Sequence, residues 1–285
     1  FSIKQLQGMG VKKIDYLILT HAHSDHMGAA DEVINAFHIG TIYAQEYSDE
    51  YISSTSALYD SQYVYNKMTE AAKNKKIPIV SEINDTNDKI TLGDTAVLQI
   101  YNYGFDYEAD ANGDYKLDRT GKKIRKQVDD DNENSLGVLV KDASGHKAFL
   151  AGDICNMDGD EDRLAQIDEL KNVDIMKLGH HGYANTGSDT SKMDTSTKDY
   201  IDALSPSKVI ITNAKSRVNS KVIANLENVN AEIYYTACYS KYVHVNLATL
   251  DVEGVDVYNG PQYSTVVKDY FFYQNGFRIK DTTAV

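Results

Sequence analysis

A short apolar segment that leads directly into a cluster of histidines constrains this chain more than any other feature. Residues 14–20 (IDYLILT) are rich in strand-forming side chains, which predicts a buried strand. The next six residues, 21–26 (HAHSDH), contain three imidazoles and one carboxylate. Nitrogen and oxygen donors of this kind are the usual ligands of zinc and related metals. Such a density of donors after a buried strand would rarely arise by chance, so we predict a metal site here.

Two later strands are predicted to end in the same kinds of side chain. The segment Leu150–Asp153 (LAGD) places a carboxylate at the end of a strand, and the predicted strand Val173–Leu178 ends in Gly179–Gly182 (GHHG). Alone, Gly-Asp is a common turn and paired histidines commonly lie on a surface. Because functional side chains in layered α/β folds gather at strand ends, the order of these motifs favours one shared site.

Strand and helix patterns alternate along the rest of the chain. The predicted helices are Gly28–His38, Ser56–Lys75, Asp160–Lys171, Lys198–Leu204 and Ser220–Leu226. The other predicted strands are Thr41–Ala44, Ile90–Leu92, Ala96–Tyr101, Leu136–Val140, Lys147–Ala151, Lys208–Thr212, Glu232–Thr236, Val243–Leu250 and Val255–Tyr258. The charged, aperiodic segment Gly104–Asn132 predicts a long surface loop. The alternation indicates an α/β fold with mixed sheets flanked by helices, in a single domain over 1–285 in which 259–285 could be a C-terminal extension.

The charge balance narrows the choice of partner. The chain has 29 Lys and Arg against 42 Asp and Glu, a net charge of −13. This argues against binding nucleic acid, whose phosphates are held by clustered basic side chains. It leaves room for a small anion held by metal ions, which supply their own positive charge. No segment approaches the roughly 20 apolar residues of a membrane helix, so we expect no membrane span.

The motifs HAHSDH, LAGD and KLGHHG, in that order, resemble those of the metallo-β-lactamase superfamily of hydrolases. Within it, the chain is similar to the branch that contains the metal domain of competence-type DNA-internalisation proteins and the pneumococcal teichoic-acid phosphorylcholine esterase. The segment Asn132–Leu136 (NENSL) matches an Asn-x-Asn-Ser-Leu strand start of that branch. The similarity to the esterase is the closer of the two and extends over most of the chain, from Ile3 to Thr212. The metal motifs are specific to the superfamily, whereas the matches that choose a substrate are much less so.

The resemblance implies a metallo-β-lactamase-like αββα sandwich with two divalent metal ions, and zinc is the expected metal. It implies a ligand set in which His21 and His23 bind the first metal, Asp25, His26 and His180 bind the second, and Asp153 bridges both. We prefer His180 to His181 because it directly follows the glycine that ends the strand. The catalytic residues implied are Asp25, Asp153 and His181, the last facing the substrate or supporting the ligands.

The chain departs from the superfamily pattern in two places. Members often bind the first metal with a further histidine before the Gly-Asp motif, but only His38, at a predicted helix end, and His146, on a predicted turn, lie there. Asn132, Asn134 or water are the alternatives, and the two asparagines could instead cap the strand start. The fold also ordinarily opens with a strand pair, whereas the first strand predicted here begins at Ile14. We therefore expect that N-terminal strands are missing from this sequence.

Together these features predict a binuclear metal-dependent hydrolase, most closely a phosphodiesterase similar to the phosphorylcholine esterase. A water bridging the two metals would lose a proton near neutral pH and attack the phosphorus. The substrate would be a small or cell-surface phosphoester, and the resemblance implies a bacterial protein that acts outside the cell or on its surface. The alternatives are a competence-type nuclease-like domain, a lactone or thioester hydrolase, and a non-catalytic metal-binding module.

Overall fold

The structure, a computed structural model, describes residues 2–183, 195–238, 243–254, 270–274 and 277–281. The chain forms two compact units from interleaved segments. Unit 1 comprises Phe1–Asn84 and Tyr103–Asn134, and unit 2 comprises Asp85–Asn102 and Ser135–Val285. The chain therefore leaves unit 1 for a short excursion into unit 2, returns, and leaves it again at Ser135.

Unit 1 is built on a three-stranded parallel sheet in the order β1-β2-β3. Its strands are β1 (Lys13–Ile18), β2 (His38–Tyr43) and β3 (Ile79–Val80), and its α-helices are α1 (Ser2–Gly8), α2 (Ser24–Met27), α3 (Ala30–Ala36) and α4 (Ser61–Lys75). Helices α3 and α4 pack against each other. The side chains of Ile34, Ile42 and Met68 are fully buried and form part of the apolar core.

Two predicted helices of unit 1 are shorter in the structure. The segment predicted as Gly28–His38 ends at α3, because Phe37 adopts an extended backbone and His38 begins β2. The segment predicted from Ser56 starts its α-helix only at Ser61, after a 3-10 turn over Thr55–Ala57. Tyr59 lies between the two with a φ of 46°, a left-handed conformation that no α-helix accommodates.

The segment Gly104–Asn132, predicted as a surface loop, is anchored to the rest of unit 1. Isolated bridges such as Tyr107 to Arg125 replace continuous strands. The guanidinium of Arg125 lies 3.3 Å from the ring centre of Phe105 and donates to the Glu46 carbonyl at 2.9 Å. Burial lowers the pKa of Arg125 to about 10. The loop prediction is wrong for the end of the segment, where Asp130, Asp131 and Asn132 are buried, because their side chains bond to other parts of unit 1.

Unit 2 contains a seven-stranded sheet in the order β10-β9-β8-β7-β6-β5-β4. The strands are β4 (Lys89–Leu92), β5 (Ala96–Tyr101), β6 (Gly137–Asp142), β7 (Lys147–Leu150), β8 (Ile175–Lys177), β9 (Lys208–Ile211) and β10 (Glu232–Tyr235). From β4 to β7 neighbouring strands are antiparallel, and from β7 to β10 they are parallel. Helices α5 (Asp160–Leu164), α6 (Lys198–Leu204) and α7 (Ser220–Asn228) contribute to a core that includes Phe149, Met176 and Val209. The predicted helix Asp160–Lys171 is thus reduced to α5 and a 3-10 turn.

The C-terminal hairpin differs from the predicted one. Strand β11 (Val243–Asn246) pairs with β12 (Asp251–Gly254), so the residues between the predicted strands Val243–Leu250 and Val255–Tyr258 form a strand themselves. The turn forms earlier because Asn246 Oδ1 accepts the backbone N–H groups of Ala248 and Thr249 at 3.1 and 3.3 Å. The predicted strand Val255–Tyr258 lies outside the described residues. So does most of 259–285, apart from the paired strands β13 (Tyr270–Gln274) and β14 (Phe277–Asp281).

The structure confirms the predicted fold class, a mixed α/β fold in which sheets are accompanied by helices. Parallel and antiparallel pairings occur in the same sheet of unit 2, as the mixture of hairpins and strand–helix alternation indicated. In the described part of the chain, the helices are all too short or too polar to span a membrane.

Candidate metal-binding residues

The HAHSDH loop gathers three imidazole rings directly after β1. The ring centre of His21 lies 4.6 Å from that of His23 and 4.3 Å from that of His26. His21 and His23 are buried. Thr20 Oγ1 lies 3.1 Å from Nδ1 of His21 and 3.3 Å from Nδ1 of His26, which helps to orient both rings. Asp25 is largely exposed, and its Oδ2 lies 3.7 Å from Nε2 of His26.

The local backbone explains how six residues present four donors. His23 is extended and precedes α2, and its carbonyl accepts the N–H groups of His26 and Met27. Asp25 and His26 therefore lie in a short helical turn, whereas His21 and His23 lie before it. A side chain at Gly28 would collide with the Ser24 carbonyl oxygen, so a glycine lets the turn close.

A buried carboxylate that the sequence analysis missed fixes this loop. Asp131 Oδ2 accepts the backbone N–H of Ala22, between His21 and His23, at 2.7 Å. Its Oδ1 accepts Nδ2 of Asn134 at 2.9 Å. Burial raises the pKa of Asp131, and these hydrogen bonds partly oppose the rise. Asn134 thus helps to position the carboxylate of Asp131. The only sequence signal was the run of three aspartates before NENSL.

A second missed carboxylate lies beside the loop. Asp130 is 6% exposed, and its Oδ1 lies 3.4 Å from Nε2 of His23. The same oxygen accepts the backbone N–H of Asn132 at 2.9 Å, which fixes the direction of the carboxylate. Nε2 of His23 is buried and makes no hydrogen bond to any described residue. A buried imidazole nitrogen in this state is what a metal-binding histidine presents before metal is added.

In unit 2, Asp153 is 3% exposed and follows β7. Its backbone N–H donates to Ser135 Oγ at 2.8 Å. Its Oδ1 lies 3.4 Å from Lys177 Nζ, and its Oδ2 lies 3.2 Å from Nε2 of His181. Strands β7 and β8 are parallel neighbours, so the residues that follow them meet at the same sheet edge. The predicted pairing of the Gly-Asp and Gly-His-His-Gly motifs is present within this unit.

The Gly179–Gly182 turn holds its two histidines in left-handed backbone conformations, with φ of 43° for His180 and 52° for His181. His181 Nδ1 lies 2.7 Å from Thr212 Oγ1, and Asn213 donates to the His181 carbonyl at 3.1 Å. The His180 backbone N–H donates to Gly152 at 3.3 Å. The ring that lies against Asp153 is therefore that of His181. Strained backbone maintained by its surroundings is common at functional sites.

Each unit on its own offers donors that suit a divalent metal. Unit 1 supplies the imidazoles of the HAHSDH loop with the carboxylates of Asp25 and Asp130, and unit 2 supplies Asp153 with the imidazoles of the Gly179–Gly182 turn. The buried Nε2 of His23 is the clearest sign that these residues fit a metal. The other two histidines before the Gly-Asp motif are poorly suited, as expected from their places in the sequence. His38 is exposed at the start of β2, and His146 lies 3.6 Å from Asp142 next to a turn.

Residues 2–99 match the profile of the metallo-beta-lactamase superfamily. The matched segment contains β1 and the complete HAHSDH loop. The match shows similarity to that superfamily for this segment alone. The match supports the coarser part of the predicted function, a metal-dependent hydrolase of the metallo-β-lactamase superfamily, and does not choose a substrate. The comparison with curated proteins found no match.

Solved structures resemble the chain only distantly. A Parabacteroides distasonis protein described as a metal-dependent hydrolase is 14% identical with a TM-score of 0.39, covering 79% of this chain and 77% of its own. Igni18, a metallo hydrolase of Ignicoccus hospitalis, is 13% identical with a TM-score of 0.38, covering 78% and 75%. The metallo-beta-lactamase fold protein YhfI of Bacillus subtilis is 11% identical with a TM-score of 0.34, covering 78% and 74%.

Proposed function

We propose that the chain is a binuclear metal-dependent phosphodiesterase that binds two divalent metal ions. The main support is the cluster of His21, His23 and His26 directly after β1, inside the segment that matches the superfamily. The second support is the buried carboxylate of Asp153 with an imidazole 3.2 Å away.

In the proposed site, His21 and His23 bind the first metal, Asp25 and His26 bind the second, and Asp153 is shared. The Gly179–Gly182 turn offers two imidazoles for the second metal. The order of residues favoured His180, whereas the contact with Asp153 favours His181. Comparing His180→Ala with His181→Ala for metal content assigns the ligand, because the variant that lacks it loses metal. Zinc is the proposed metal, since imidazole and carboxylate together suit it.

The bound metals would activate water and neutralise negative charge on the phosphoryl oxygens. The chain's own residues position and complete this chemistry. Thr212 holds the ring of His181 through Nδ1, which leaves Nε2 directed at Asp153. Lys177 places a positive charge 3.4 Å from Asp153 Oδ1. Asp25, whose side chain is largely exposed in α2, is the proposed group that handles the leaving-group proton.

The choice of a phosphocholine-type ester rests on the similarity of the chain between Ile3 and Thr212 to the phosphorylcholine esterase and on two properties of this chain. The net charge of −13 disfavours a polyanionic nucleic acid. Tyr59 is 68% exposed, and its ring centre lies 5.1 Å from that of His23. An exposed aromatic face next to the metal-binding loop suits a quaternary ammonium group. A small or cell-surface phosphocholine ester is therefore the proposed substrate.

The proposal is tested with zinc-loaded protein and p-nitrophenyl-phosphorylcholine, alongside bis(p-nitrophenyl) phosphate, a phosphomonoester, a lactone and a thioester. We expect hydrolysis of the choline ester that a chelator abolishes and zinc restores. Asp153→Ala should be inactive. Asp158→Ala, which removes an exposed carboxylate five positions along the chain, should keep wild-type activity.

The same panel separates the alternatives. Turnover of bis(p-nitrophenyl) phosphate alone would keep a phosphodiesterase but reject the choline ester. Turnover of only the lactone or thioester would reject phosphodiester hydrolysis. Metal binding with no turnover would indicate the non-catalytic metal-binding module, and cleavage of single-stranded DNA in preference to small esters would indicate the nuclease-like domain.

A further inference from the structure

For the first metal of the proposed site, the sequence supplies no well-placed third histidine ligand. His21 and His23 give it two imidazoles, and structural zinc sites usually have four ligands and catalytic ones three plus water. Asn134, one of the alternatives, donates its side-chain amide to Asp131, and its backbone carbonyl accepts from Gln45. Buried carboxylates are another kind of donor that unit 1 offers to the first metal.

The carboxylate of Asp130 lies where that donor would be expected. Its Oδ1 is 3.4 Å from Nε2 of His23, and both side chains are about nine-tenths buried. A charge-assisted hydrogen bond between such groups would be about 2.7–2.9 Å long. Two donors that each lie about 2.0–2.1 Å from one tetrahedral zinc are about 3.4 Å apart. The observed spacing thus fits two ligands of one metal better than a direct ion pair.

Other contacts prepare Asp130 for this role. The Asn132 N–H donates to Oδ1 at 2.9 Å and holds the carboxylate in place. The neighbouring Asp131 fixes the backbone of the HAHSDH loop by accepting the N–H of Ala22, between His21 and His23. Successive residues of one segment therefore position the loop and offer it an oxygen donor, all within unit 1.

We propose that Asp130 is a ligand of the first metal, beside His21 and His23. This proposal rests on the proposed function, because it assigns a ligand of the same metal site. It gives the segment that ends at Asn134 a direct place in the site, at the position where other superfamily members commonly use a histidine. An oxygen donor there also lowers the net charge of the first metal site, compared with an imidazole.

Metal binding by the full chain tests the proposal without an activity assay. Wild type, Asp130→Asn and Asp130→His are titrated with zinc by calorimetry and with cobalt by visible absorption. The matched control is Asp129→Asn, which makes the same charge change next door at a half-buried carboxylate bonded to Ser53. Circular dichroism confirms that each metal-free variant is folded.

We expect Asp130→Asn to weaken the first zinc at least about 10-fold and to alter the cobalt spectrum, while Asp129→Asn matches wild type. Asp130→His should recover zinc binding with a cobalt spectrum shifted by the new nitrogen ligand. Wild-type affinity and spectrum in both Asp130 variants would overturn the assignment while leaving the proposed function intact. A wild type that binds no metal would overturn the proposed function itself.

Discussion

The backbone that presents the metal donors is fixed differently in the two units. In unit 1, the N–H of Ala22 donates to Asp131, a charged acceptor 109 positions away in the sequence. In unit 2, the N–H of Asp153 donates to the neutral hydroxyl of Ser135, 18 positions away. Both acceptors are buried. Each side chain thus accepts a hydrogen bond from the backbone at or next to a proposed ligand, but only one of them brings a buried charge.

This difference indicates where each unit is sensitive to substitution. The HAHSDH loop depends on a distant carboxylate because β1, the strand before it, is only partly buried. The Asp153 turn depends on close backbone packing, since β8 is buried and a Cβ at Gly179 would lie 2.5 Å from the Ile154 carbonyl oxygen. We therefore expect deletion of the supporting side chain to matter more in unit 1 than in unit 2. An added methyl group should matter in both units, since a Cβ at Gly28 would collide with the Ser24 carbonyl oxygen.

The largest effect is expected for Gly179→Ala. The added methyl group would meet backbone, which cannot rotate away, so unfolding free energy should fall by about 3 kcal/mol. Gly8→Ala is the control, because nothing lies within 4 Å of a Cβ there. Urea denaturation measures both. Equal stability of the two variants would show that the Gly179 turn is not tightly packed.

Asp131→Ala should follow, with a loss of about 2 kcal/mol. It leaves the Ala22 N–H without its charged acceptor inside the protein. Hydrogen exchange at the Ala22 amide should become faster in the same variant. Unchanged protection of that amide would mean that the carboxylate does not hold the loop.

Ser135→Ala should cost less, about 1 kcal/mol, because a hydrogen bond between neutral groups is weaker than one to a carboxylate. Urea denaturation of Ser135→Ala and Asp131→Ala under the same conditions compares the free energy that each of the two hydrogen bonds contributes. A larger loss for Ser135→Ala would reverse the account of which unit relies on its distant side chain.

The smallest effect is expected for Lys116→Ala, in the exposed part of the segment Gly104–Asn132. Its ion pair with Glu108, at 2.9 Å, joins two exposed side chains, and such pairs contribute about 0–1 kcal/mol. Thermal unfolding should change little. A loss as large as that of Asp131→Ala would mean that the whole segment, and not its buried end, supports unit 1.

The sequence was sufficient for the strand ends and insufficient for what surrounds them. Periodicity placed β1, β5, β6 and α6 within two or three residues, because each has a regular apolar pattern. The donors of HAHSDH and LAGD were recognisable because they come soon after strands β1 and β7. Asp130 and Asp131 were missed because their contacts with His23 and Ala22 join residues more than a hundred positions apart, which no local pattern records.

The prediction of metal binding by both units can be checked by elemental analysis of the purified, zinc-loaded chain. The account predicts about two zinc ions per wild-type chain. It predicts a clear loss of zinc both in His21→Ala/His23→Ala, which alters unit 1 alone, and in Asp153→Ala, which alters unit 2 alone. Full zinc content in the Asp153 variant would contradict the role of Asp153 as a metal ligand, and no zinc in the wild type would contradict a metal site altogether.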